Sequence, residues 1–122
     1  QQEWGRLLRR EARIPQAGIV AMGKVLANPA LIERFQKAYA ASLRWCEQQP
    51  EACGALVARR IDLLTPEAVA DSVRVDNAVF VTAADAQPEL TYFFQLLYER
   101  QPGLIGGKLP APDFYYHPDS SR

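Results

Sequence analysis

Few residues of this chain are of types that do chemistry, and their spacing limits what they can do. The 122 residues include one histidine and two cysteines. Nucleophilic catalysis by an activated Ser or Cys needs a base held beside the nucleophile. His117, the single histidine, lies near the C-terminal end and reads as structural or incidental. A zinc site needs more His and Cys ligands than the chain has. Cys46 and Cys53 are seven apart with Pro50 between them, which is neither a zinc knuckle nor a redox C-x-x-C. Two readings stay open for this pair: two small buried hydrophobes with free thiols, or a disulfide across a helix–helix corner. Asp and Glu are scattered over polar helix faces, so no acid–base pair stands out. Gly106-Gly107-Lys108 lacks the spacing of a phosphate loop and does not open a helix after a strand, so it reads as a turn. The residues therefore point to no catalysis, no metal and no cofactor.

The elements that position these residues are mostly helical. Asn28 is a good N-cap and Pro29 fits the first helical position. Leu31, Ile32, Phe35, Ala38, Tyr39, Ser42, Leu43, Trp45 and Cys46 then recur at helical spacing up to Gln49. They form a broad apolar stripe that predicts a long core helix over 29–49. Pro50 ends it and starts a second helix, to about Arg60, with Ala52, Cys53, Leu56 and Val57 inward. Thr65-Pro66-Glu67 opens a third, to about Val73, with Val69 and Val73 inward. A fourth starts at Thr82 or Asp85 and runs to Arg100, burying Leu90, Phe93, Phe94, Leu97 and Tyr98. Pro88 is tolerable there in the first turn only. Gln2 to Arg13 reads as a short helix whose Arg6, Arg9, Arg10 and Arg13 line a solvated face beside Glu3 and Glu11, with an anion site the lesser alternative.

Two stretches suggest strands. Ala17-Gly18-Ile19-Val20-Ala21-Met22 is an unbroken apolar run, suited to a strand buried on both faces over Ile14–Met22, which periodicity does not separate from a buried helical turn. Val79-Phe80-Val81 could be extended and packed under a helix. Phe114-Tyr115-Tyr116 reads as an aromatic clasp on the core, followed by a flexible tail, 117–122. The expected class is mainly α with one or two short strands, in a single domain over 1–122.

Lys and Arg number 14 and Asp and Glu 14, so electrostatics give no case for nucleic acid or an anionic membrane. No apolar run approaches the roughly 20 residues of a membrane span. The first residues, Gln1-Gln2-Glu3-Trp4, read like the middle of a helix, so a fragment or a processed chain is expected.

One ordered pattern carries more. It runs Ile14-Pro15-Gln16-Ala17-Gly18-Ile19-Val20-Ala21-Met22, Asn28-Pro29-Ala30-Leu31, then Trp45 with Gln49-Pro50-Glu51-Ala52. It continues with Tyr92-Phe93-Phe94, Ile105-Gly106-Gly107-Lys108-Leu109-Pro110 and Phe114-Tyr115-Tyr116. This series resembles the C-terminal third of solute-binding proteins of ABC importers, in the nitrate/sulfonate/taurine and thiamine-precursor group. The resemblance implies a fragment of an α/β periplasmic-binding-protein-type lobe, with Ile14–Met22 the strand returning from the second lobe to the first. It places Pro15, Gln16, Met22 and Gly23 nearest the hinge and ligand, with Gln16 the one that offers side-chain hydrogen bonds.

The implied partners are a small nitrogen- or sulfur-containing solute in the full-length protein and the transporter permease. The implied location is periplasmic, or lipid-anchored outside the cytoplasm. Export to an oxidising space would favour a Cys46–Cys53 bridge. The family's N-terminal strands and second lobe have no counterpart here, so no complete ligand site is expected. The returning strand then needs a neighbour, which self-association could supply. Two other readings compete: a free-standing helical interaction module, and a pyrimidine-precursor synthase-like enzyme, the latter short of histidine and cysteine.

Overall fold

The computed structural model describes residues 15–76 and 78–118. The predicted helix over Gln2–Arg13 lies outside them. The described chain is mainly helical, with four α-helices: α1 (Pro29–Gln48), α2 (Pro50–Ala58), α3 (Pro66–Val75) and α4 (Ala83–Arg100). It divides into two compact units, Gly23–Thr82 and the remaining described residues, 15–22 and 83–118.

Local chemistry sets the helix starts in the Gly23–Thr82 unit. A short 3-10 turn, Gly23–Ala27, leads in. Asn28 then accepts the Leu31 N–H on its side-chain oxygen at 3.1 Å, and Pro29 follows. Thr65 does the same for α3, its hydroxyl oxygen accepting the Ala68 N–H at 3.1 Å. Between α1 and α2 the only non-helical residue is Gln49, with φ −131° and ψ 64°. Pro50 keeps it out of the helical region.

The tightest packing in this unit is between α2 and α3. Gly54 and Ala70 are buried there. A β-carbon on Gly54 would stand 2.2 Å from the Pro66 carbonyl oxygen, so only glycine permits this approach. The expected inner face of α2 is corrected accordingly: Gly54 is buried while Leu56 and Ala52 are exposed. Close backbone contact, not side-chain bulk, selects the buried face. Arg74 of α3 adds an ion pair to Glu51 of α2 and another to Asp71 at 2.8 Å. All three side chains are substantially exposed, so these pairs add little stability.

The stripe of α1 is less covered than its periodicity predicts. Ile32 is buried, but Leu31, Phe35, Tyr39 and Trp45 are exposed. Tyr39 stacks on Phe35 at 6.0 Å between ring centres and meets Phe80 at 5.6 Å. Phe80 is thus drawn onto α1, but Val79-Phe80-Val81 is irregular and Val79 points to water. Phe35 keeps 49% of its surface exposed. Full truncation of a buried Phe costs roughly 3–5 kcal/mol, so Phe35→Ala is expected to cost about 2 kcal/mol in urea unfolding. A loss in the full range would place the ring in a core this unit does not provide.

In the other unit, α4 presents half-buried Leu90, Phe93, Phe94 and Leu97, with Tyr98 more exposed. Pro88 sits beyond the first turn of α4, against expectation, and α4 forgoes the hydrogen bond to the Ala84 carbonyl. After α4, a 3-10 turn over Pro102–Ile105 and another over Pro112–Phe114 return the chain to Tyr115, which is buried. Phe114 meets Tyr115 edge-on at 5.3 Å but is itself exposed.

No strand occurs among the described residues. The predicted strand over Ile14–Met22 is irregular across its described part, 15–22, and Ile19, Val20 and Met22 are exposed. A strand needs a paired edge, and an apolar run alone does not provide one.

Candidate functional site

The residues assigned to the hinge and ligand lie in the segment that leads into the first 3-10 turn. Pro15 is partly buried, Gln16 is exposed, and Met22 leaves 74% of its surface to water. These three belong to the unit that also contains α4, while Gly23 opens the other unit. Gly23 has φ +57°, a left-handed conformation that favours glycine, and it lets the chain turn into the 3-10 helix. Of the four, Gln16 brings a side-chain amide, a donor and acceptor suited to a small polar solute.

The turn over Gly106 and Gly107 is as the sequence predicts. Both glycines have positive φ. The Gly106 N–H donates to the Gly103 carbonyl at 3.3 Å, and the Gly107 N–H to the Pro102 carbonyl at 2.9 Å. Backbone donors that close a turn are not available to cradle a phosphate.

His117 has a specific partner. Its Nε2 donates to the Gln87 side-chain carbonyl oxygen at 2.7 Å, joining the chain beyond Tyr115 to α4. The pair is thirty residues apart, so no local pattern could have announced it. Both side chains are partly buried.

Cys46 and Cys53 form a disulfide, with Cα atoms 5.0 Å apart. Seven residues along one straight helix would separate them by about 10 Å. The bend at Gln49-Pro50 is therefore what brings the sulfurs together. Cys46 is partly exposed and Cys53 only 2% exposed. Spacing alone left thiols and disulfide as alternatives, and the geometry of the corner selects the disulfide.

Among the described residues, no three His, Cys, Asp or Glu side chains gather in a way that could hold a metal ion. No described helix is long and apolar enough to cross a membrane. Comparison with protein-family models, curated proteins and solved structures finds no match to this chain.

Proposed function

We propose that this chain is part of the solute-binding component of an ABC importer, working outside the cytoplasm. The cargo would be a small nitrogen- or sulfur-containing solute, of nitrate, sulfonate, taurine or thiamine-precursor type, passed on to a permease. The reading rests on the motif series from Ile14 to Tyr116. The structural observation that supports it best is the Cys46–Cys53 disulfide. Disulfides persist in oxidising compartments such as the periplasm and are rare in the cytosol. In this reading the protein binds and releases its solute without chemical change. In this reading Pro15, Gln16, Met22 and Gly23 lie nearest the hinge and the ligand, with Gln16 hydrogen-bonding the solute.

A second reading, a free-standing helical interaction module, is favoured by one observation: the described residues form helices and turns without a strand.

Thermal shift of the complete gene product separates the two. Nitrate, taurine, an alkanesulfonate and an aminopyrimidine are the probes. A ligand at 100 times its Kd adds about 2.7 kcal/mol to the native state, so at least one probe is expected to raise Tm clearly. A flat response to all four, with the protein recovered from the cytosol, would reject the importer reading. In the importer reading a solute is held between two lobes, so the 122-residue chain alone is expected to show no micromolar binding in calorimetry.

A further inference from the structure

We infer that Gln49 is a hinge between α1 and the α2–α3 pair, and that the Cys46–Cys53 disulfide is the lock that reduction opens. The inference does not depend on the importer reading.

The backbone at the corner confines any rotation to one residue. Gln49 is at once the residue that ends α1 and the residue that begins α2. Its N–H donates back into α1, to the Trp45 carbonyl at 2.8 Å. Its own carbonyl accepts from α2, from the Cys53 N–H at 2.9 Å. The peptide plane before Gln49 is therefore fastened to α1, and the plane after it to α2. Only the φ and ψ of Gln49 join the two planes, and turning them breaks neither hydrogen bond. Hinges of this kind absorb a motion in a few residues at element ends.

The two sides of the corner are unequally held. α2 and α3 are fixed to each other by the backbone approach at Gly54. They would move as one body. α1 makes lighter contact with both, and its exposed Leu31, Phe35 and Trp45 show how little of its face is engaged. The covalent restraint across Gln49 is the disulfide.

The two cysteines differ in burial. Cys46 is partly exposed and Cys53 is buried, so a dithiol reductant attacks Sγ of Cys46. The S–S bond breaks, and Cys53 leaves as a thiolate and takes up a proton. The second thiol of the reductant resolves the mixed disulfide. The protein gains two thiols, and the reductant leaves as its own disulfide.

The test is residual dipolar couplings measured by NMR on the 122-residue chain, oxidised and after reduction with dithiothreitol. In the oxidised chain, α1, α2 and α3 are expected to fit one alignment tensor. After reduction α2 and α3 should still share a tensor, while the apparent order of α1 departs from theirs by about twofold or more, as for independent motion on the μs–ms scale. The Cys46→Ala/Cys53→Ala variant should reproduce the reduced pattern. If all three helices keep one tensor after reduction, the disulfide is a passive staple and the hinge is rejected. If α2 and α3 also part, or the helices are lost, the disulfide holds the whole unit together, and the hinge is again rejected.

Discussion

Replacing Gly54 by alanine is expected to destabilise the Gly23–Thr82 unit by about 2–3 kcal/mol or more, the upper part of the range for overpacked cores. Two effects oppose each other. Alanine in a helix interior gains about 1 kcal/mol over glycine from propensity. Against this, the new methyl would stand 2.2 Å from the Pro66 carbonyl oxygen and 3.3 Å from the Ala70 backbone N. Both are backbone atoms, which cannot swing aside as a flexible side chain would. α3 must then move away from α2, exposing Ala70, one of the few buried side chains among the described residues. The clash outweighs the propensity. Urea unfolding of Gly54→Ala checks this, with Gly103→Ala as control, since a β-carbon there meets nothing within 4 Å. A Gly54→Ala protein as stable as the parent would mean that α2 and α3 do not approach at this point.

Reducing the disulfide is expected to cost about 2.5 kcal/mol, from the chain-entropy relation for so short a loop. Cys46 and Cys53 are separated by seven positions, so the bridge restrains little of the unfolded chain. Even so, this is a large share of the 5–15 kcal/mol typical of a domain. Urea midpoints with and without a phosphine reductant give the difference. An unchanged midpoint, with both thiols alkylatable before reduction, would show that the bridge is not formed in solution. This measurement concerns global stability, whereas the dipolar couplings concern the orientation of α1 in the folded chain.

The contrast between these predictions follows the line between local and non-local information. The helix starts at Pro29, Pro50 and Pro66 were legible in the sequence, two of them with the caps Asn28 and Thr65. Each signal acts within one turn: a side-chain oxygen three residues from the N–H it accepts, or a proline whose missing donor costs nothing. The turn at Gly106-Gly107 was legible for the same reason, because positive φ is paid for at the residue itself.

Of the candidate site, the sequence determined only that 15–22 is apolar and that Gln16 alone in it carries an amide; its link to a ligand came from resemblance. Whether that run became a strand depended on an edge to pair with, and the described chain leaves it irregular. Tertiary structure alone decided that α2 buries Gly54 rather than Leu56, that Phe80 meets Tyr39, and that His117 meets Gln87. It also decided that Cys46 and Cys53 are joined. Hydrophobic period says which residues share a face, but the partner that covers the face is chosen by backbone approach between segments distant in the chain. Such approach leaves no periodic trace, so the stripe of α1 was visible in the sequence and its incomplete cover was not.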